Sequence, residues 1–295
     1  GNYNAANGGD ATVAGGRANA AAAVGAAVGG GADNTSSGDY AAIGGGQSNR
    51  VMATAVFARI GGGFENTIEY NGDYAGIGAG RGNVISNAWY ATVGGGLTNS
   101  ILALGDYSSI SGGRGNVIEA GASYATIGGG SQNIIQSTAD YATIPGGYRA
   151  AVTNYGQMAY ASGAFSANGD AQSSLCVLRR TTATNTPTEL LLDGSSQRMR
   201  VPADATWAFD ILIIARTAGT FSAGYHLRGV IENNAGATVL DGTLIKDILN
   251  EDDATWDATV LADNANDALV IQVTGAAADT VRWVAKVRTV EVTFP

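Results

Sequence analysis

The side chains that could do chemistry are few, and their spacing narrows the choices. Among 295 residues there is one histidine, His226 in "GYHLRG", and one cysteine, Cys176. A nucleophilic triad needs a base beside an activated nucleophile. Ser222 is the serine nearest His226 in sequence, and no GxSxG elbow occurs. One His and one Cys cannot assemble a zinc site, and one Cys excludes an intrachain disulfide. Cys176, between Leu175 and Val177, reads as a small buried hydrophobe. The carboxylates gather in "NEDDATWDA", with Glu251, Asp252, Asp253 and Asp257, and in "LADNAND", with Asp263 and Asp267. Paired carboxylates can hydrolyse glycosides or hold calcium, but these stretches lack the glycine and terminal glutamate of an EF-hand loop. Solvated acidic loops are the expectation, with no metal, no cofactor and no catalytic residue. Trp207, Tyr225 and Trp256 are candidates for stacking on sugars if exposed, whereas Trp283, inside the strongest strand pattern, reads as core. The recognition candidates taken forward are Tyr225, His226 and Trp256.

The elements that must position these groups fall into two textures. Of 44 glycines, 36 lie in residues 1–168 and 8 in residues 169–295. In the first region each glycine cluster closes on an asparagine, at Asn19, Asn34, Asn49, Asn66, Asn83, Asn99, Asn116 and Asn133, with Ala150 in the ninth slot. The spacings of 15, 15, 17, 17, 16, 17, 17 and 17 residues mark a solenoid of stacked coils. Short strand-like runs flank each cluster, as in "SYATIGGGSQNII". Alternation puts Ala125 and Ile127 on one face, and Asn133 and Ile135 on one face. Two short strands and two turns in about 17 residues leave no room for a helix, so each coil is a flattened turn of parallel β-structure. Glycines such as Gly129 and Gly130 supply the positive φ and close backbone approach of the turn. The asparagines, among them Asn49, Asn66, Asn83, Asn99, Asn116 and Asn133, are expected to bond to their stacked neighbours as a ladder. A phosphate-binding loop is excluded because no Lys-Ser/Thr follows "GGG" and no helix pattern opens there.

Net charge is -9, from 16 Lys+Arg against 25 Asp+Glu, which argues against a partner read through its phosphate backbone. No apolar run approaches the ~18 residues of a membrane span, so no membrane insertion is expected. The opening "GNYNAANGGD" lacks Met, a basic stretch and an apolar signal core, as expected of a fragment or processed form.

After "ASGAFSANGDAQSS" the rhythm stops, and residues 169–295 show strands of four to twelve residues between Gly, Asn, Asp and Pro turns. The expectation is an all-β antiparallel sandwich of jelly-roll type. In the last strand, "VRWVAKVRTVEV", Val281, Trp283 or Val284, Val287, Val290 and Val292 are expected on the buried face and Arg282, Lys286, Arg288 and Glu291 on the wet one.

Runs such as "YATIGGGSQNII" and "YASGAFSANGDAQ" resemble the head repeats of trimeric autotransporter adhesins, the YadA-like left-handed parallel β-roll that recurs in bacteriophage tail fibres. The tract from "GDAQSSLCVLRR" through "WAFDILIIAR" to "VRWVAKVRTVEV" resembles the C-terminal domain that follows such repeats in tail-fibre proteins. The resemblance implies a homotrimer with the "YATIGGG" strands near the shared axis, carried on a virion tail and acting outside the cell. Residues 1–168 would be the roll and residues 169–295 the receptor-binding sandwich. The implied partners are other phage tail or baseplate proteins and a host-surface polysaccharide or protein receptor. The implied role is structural and recognitive rather than enzymatic. The alternatives are the head of a bacterial trimeric surface adhesin, against which stands the lack of a membrane barrel and stalk in this sequence, and a polysaccharide-depolymerising tailspike.

Overall fold

The computed structural model describes residues 2–277 and 279–294, and no helix occurs among them. The chain divides into two compact units, Gly1–Val152 and Thr153–Pro295.

The first unit is a parallel β-solenoid of about nine turns. Its nineteen strands, from β1 (Ala5–Ala6) to β19 (Ala151–Val152), are two residues each. Odd-numbered strands form one sheet and even-numbered strands the other, and each pairs in parallel with its counterpart one coil away. Register is held from coil to coil: Ser109 aligns with Thr126 and Thr126 with Thr143, Ile110 with Ile127 and Ile127 with Ile144. The expected inward residues are inward. Ala125, Ile127, Asn133 and Ile135 are fully buried, as are Ile77, Ile85, Ile110 and Ile118. Each such isoleucine contributes ~2 kcal/mol by leaving water, which is how a coil with four strand residues holds together.

The polar component of this core is an asparagine stack. Asn99 shows the pattern: its Nδ2 donates to Asn83 Oδ1 at 3.2 Å, to the Gly95 carbonyl at 2.9 Å and to the Gly113 carbonyl at 3.0 Å. Its Oδ1 accepts from the Asn116 backbone N–H at 3.0 Å and from Asn116 Nδ2 at 3.1 Å. Thus every buried hydrogen-bonding atom of the amide is used, as burial requires.

The two turns of a coil are built differently. At the glycine turn, Gly130 has φ +85°, and a Cβ there would lie 2.1 Å from the Gly147 carbonyl oxygen of the next coil. The opposite turn also enters the left-handed region, but with aromatic residues. Tyr40, Phe57, Tyr74, Tyr90, Tyr107, Tyr124 and Tyr141 have φ between 55° and 59°. Their rings stack one per coil with centroids 4.8–5.1 Å apart and planes within 15°. Ring contacts worth ~0.5–1.5 kcal/mol each offset the left-handed strain of ~1–2 kcal/mol per residue.

Just before these rings lies a second pattern. Asp39, Asp73, Asp106 and Asp140 occupy every other coil, and their Oδ1 atoms accept the backbone N–H of Val24, Val56, Trp89 and Ser123 in the preceding coil at 2.7–3.1 Å. Alternation keeps carboxylates two coils, about 10 Å, apart instead of one, beyond the ~8 Å screening length at physiological salt.

The second unit contains two antiparallel sheets. The first has the order β21 (Ala171–Thr182), β29 (Val281–Thr293), β24 (Ala205–Thr217), β25 (Ser222–Asn234), β26 (Ala237–Glu251), with β20 (Met158–Tyr160) on the free edge of β21. In the second, β28 (Ala268–Thr274) pairs with β22 (Thr188–Glu189), β23 (Met199–Arg200) and β27 (Asp257–Asp263). Both contribute to one buried cluster, including Cys176, Trp207, Ile211, Tyr225, Leu227 and Trp283 from the first, and Met199, Val260, Leu269 and Ile271 from the second.

One expectation for β29 is reversed. Val281, Trp283, Ala285 and Val287 point inward, and strict alternation then carries Thr289 and Glu291 inside while Val290 and Val292 are exposed. The period of two overrides hydrophobicity because β29 pairs continuously, without a bulge, with β21 and β24. Glu291 is accommodated by bonds from Gln172 Nε2, at 2.8 Å, and from the Thr289 hydroxyl.

Candidate functional site

Tyr225, His226 and Trp256 do not form a common surface. Alternation along β25 puts Tyr225 and Leu227 in the core and His226 on the opposite face. The Tyr225 ring lies 6.5 Å from Trp283, Trp256 lies 5.6 Å from Trp283, and both Tyr225 and Trp256 are buried. Their faces are therefore closed to a sugar, a correction to the expected stacking role whose cause is the inward phase of β25 and the packing against Trp283. Trp207 is buried as well. The Tyr225 hydroxyl donates to Glu251 at 2.6 Å, and burial followed by that carboxylate pushes its pKa well above the ordinary phenol range.

His226 faces outward with its side chain one-quarter exposed, and its Nε2 lies 3.2 Å from Asp210 Oδ1. That contact is an ion pair only when the imidazole is protonated, and the nitrogen makes no hydrogen bond of good geometry. Among the described residues Ser222, the serine nearest His226 in sequence, does not complete a triad with it. Ser222 is four residues along the strand, ~13 Å away at the usual rise, and its hydroxyl is occupied by Asp252 Oδ2 at 3.1 Å.

Asp253 and Asp263 organise their own turns, while Asp252 ties its loop to the start of β25. Asp252 accepts the Ser222 N–H at 2.8 Å, Asp253 the Thr255 N–H at 2.9 Å, and Asp263 the Ala265 N–H at 3.0 Å. Hydrogen bonds from Ser222, from Thr255 and from Asn266 respectively hold these three carboxyls below their ordinary pKa. Asp257 pairs with Lys246, and Asp267 accepts the Thr238 hydroxyl at 2.9 Å. Among the described residues no three His, Cys, Asp or Glu side chains cluster as metal ligands would.

What the sheet does present is its outer face. Cross-strand register sets Lys286 between Val177 and Leu212, and Val284 between Arg179 and Ile214. Val177, Ile214, Val284, Val290 and Val292 are between 46% and 68% exposed. A groove of about 810 Å³ crosses this face where β25 and β26 slip register, lined by Asp210, Arg228, Asp241, Ile245, Arg288 and Val290 among others. Arg228 pairs there with Asp247 at 2.5 Å. The strand pattern of "GYHLRGVIEN" already separates Tyr225 and Leu227 from His226, so the burial of Tyr225 had a signal in the sequence. The groove had none, because it depends on a β-bulge.

In the first unit the ladder residues Asn49, Asn66, Asn83, Asn99, Asn116 and Asn133 are buried, and Gly129 and Gly130 both have positive φ, at +151° and +85°.

No protein family and no curated protein matches the chain. Among solved structures it is similar to a tailspike protein of the Acinetobacter baumannii bacteriophage Fri1, described as a capsular polysaccharide depolymerase, with 8% identity and a TM-score of 0.27 over 96% of this chain and 60% of that one. It is also similar to the tailspike protein of a second Acinetobacter phage, with 10% identity and a TM-score of 0.20 over 94% of this chain and 65% of that one. The chain thus spans less than two thirds of the length of either. No helix is long and apolar enough to cross a membrane among the described residues.

Proposed function

We propose that the chain is a structural and host-recognition component of a phage tail, a homotrimeric fibre in which a YadA-like left-handed roll is the spacer and the second unit, a sandwich of jelly-roll type, is the receptor-binding tip. The observation that carries this reading is the contrast between the units. The roll repeats one set of contacts coil after coil, and its outward slot holds Ala42, Arg59, Gly76, Thr92, Ser109 and Thr126 in turn, which is poor material for a repeated binding surface. The second unit has non-repeating loops on a rigid double sheet, where recognition is readily varied. Support for self-association comes from the valines and isoleucine on the outer sheet face, an apolar surface of the kind that partners cover. Three tips on one axis would turn weak contacts into firm attachment.

Binding rather than turnover is favoured because Asp253 and Asp263 are held as turn acceptors and Asp252 as the acceptor of Ser222 on β25. The test is adsorption of the labelled full chain to encapsulated host cells and to capsule-less cells, with light scattering for its mass. Capsule-dependent adsorption by a particle of three chains, without release of reducing sugar, is the expected result. A folded monomer removes the trimer, and release of reducing sugar converts the reading to a depolymerase.

A further inference from the structure

Antiparallel pairing of β24 with β29 places Arg216 directly opposite Arg282, and both point outward and are exposed. Their row continues to Thr181 on β21 and Ser222 on β25, at the end of the sheet away from β20. Like charges facing each other at ~5 Å across a ladder destabilise it. Further down the same face Arg288 stands opposite Asp210 and Arg228 bonds to Asp247. Neither Arg216 nor Arg282 has such an acid. Among the described residues no carboxylate lies within 4 Å of either guanidinium and neither makes a hydrogen bond. Of the acids at this end of the sheet, Asp252 gives its Oδ2 to the Ser222 N–H and hydroxyl, and Asp279, three residues before Arg282, lines the cavity next to the pair.

The pair opens onto a cavity of about 380 Å³ lined by Arg216, Thr217, Ala218, Thr280 and Arg282. Thr217, Ala218 and Thr280 also line an adjoining cavity of about 410 Å³, whose wall includes Phe221, 47% exposed. One cleft therefore offers two guanidinium forks without an ion-pair partner at one end and, at the other, an apolar ring with the Asp279 carboxylate in the same wall, so the acid of a ligand is directed to the arginine end. Guanidinium forks match a carboxylate in bidentate geometry, and an aromatic face suits the apolar side of a pyranose ring.

We propose that this cleft binds a carboxylate-bearing saccharide, the acid on Arg216 and Arg282 and the sugar ring against Phe221. The assignment rests on the recognition reading above and specifies its ligand as an acidic glycan. The arginine pair is then a site whose ligand removes a repulsion, so the empty site is less stable than the filled one.

The full chain is titrated with D-glucuronate and D-galacturonate, with D-glucose and inorganic sulfate as comparisons, and with the Arg216→Gln and Arg282→Gln variants. A uronate is expected to bind the parent, each variant to bind it at least tenfold more weakly, and glucose not to bind. Both variants are expected to melt no lower than the parent in low salt without ligand, because each removes the repulsion. Failure of both uronates to bind, equal binding of sulfate and uronate, or a lower melting temperature for both variants would overturn the assignment. Adsorption to cells separates the two readings. If the parent adsorbs and Arg282→Gln adsorbs equally, the cleft is not the contact and the recognition reading stands. If the parent adsorbs to no host, the recognition reading falls, and the uronate titration alone decides the cleft.

Discussion

Replacing Asn99 by Ala removes one rung of the asparagine stack, and the structure gives the size of the effect. Five hydrogen bonds involve the Asn99 amide. Not all of them count equally. Asn83 Oδ1 still accepts the residue 99 backbone N–H at 3.0 Å, the Gly113 carbonyl still accepts the Leu97 N–H at 2.9 Å, and Asn116 Nδ2 still reaches the carbonyls of Gly112 and Gly130. Left without a partner are the Asn116 backbone N–H and the Gly95 carbonyl. At ~1–3 kcal/mol for a buried polar group left unpaired, the Asn116 N–H carries most of the loss and the half-buried Gly95 carbonyl less, for a total of ~1–4 kcal/mol. The assay is urea denaturation followed by circular dichroism, with Thr92→Ala, an exposed strand position, as the control expected within ~0.5 kcal/mol of the parent. Hydrogen exchange should show the Asn116 amide losing protection. A loss below ~1 kcal/mol, or one matching Thr92→Ala, would refute the claim that the stack is a buried polar network with no spare donors.

Further expectations follow from other positions. Gly130→Ala should destabilise more than Gly129→Ala, because a Cβ at 130 meets the Gly147 carbonyl at 2.1 Å while none is met at 129, and Ser131→Val should cost least; thermal melts giving the reverse order would mean the turn packs differently. Burial pushes the Glu291 carboxyl up despite bonds from Ser174, Thr289 and Gln172. The native state then holds its proton more tightly than the unfolded chain, and stability falls as pH rises from the unfolded pKa through the folded one. Glu291→Gln should therefore melt with the parent near pH 4 and above it at pH 8, and an equal difference at both values would contradict this. Tyr107→Ala interrupts the ring stack while keeping a left-handed residue, so it should cost ~1–3 kcal/mol from two ring contacts, read by the same denaturation assay. Ile214→Asp on the exposed sheet face should lower the mass measured by light scattering without lowering the helix-free circular dichroism signal, and an unchanged mass would remove that face from any self-association.

The solenoid was legible because its signal is redundant. A glycine cluster closing on Asn at spacings of 15 to 17 residues fixes which residues face in, and Ile127, Asn133 and Ile135 followed from that register. The ring stack was not legible, because an aromatic residue in "DYATI" suits a strand as well as a left-handed turn, and only stacking against its neighbours makes the second affordable. In the second unit strand positions were readable and facing was less so. Val290 and Val292 suggest an inward end to β29, yet phase is set upstream by Trp283 and Val287. Trp256 follows a loop and carries no periodic signal at all. Cross-strand neighbours such as Arg216 and Arg282 lie 66 residues apart in sequence, and only register brings them together.

The alternating aspartates have a consequence for how such a rod can change length. Deleting or duplicating a single coil would bring two coils of the same kind together, either two carboxylates at one coil spacing or two Val24-type amides without the acid that accepts them. Deleting or duplicating two coils restores every contact. The heritable step of length is therefore a pair of coils, some 33 or 34 residues of coding sequence. Lineages of this rod should differ by whole pairs, each worth about 10 Å of reach at the ordinary strand spacing.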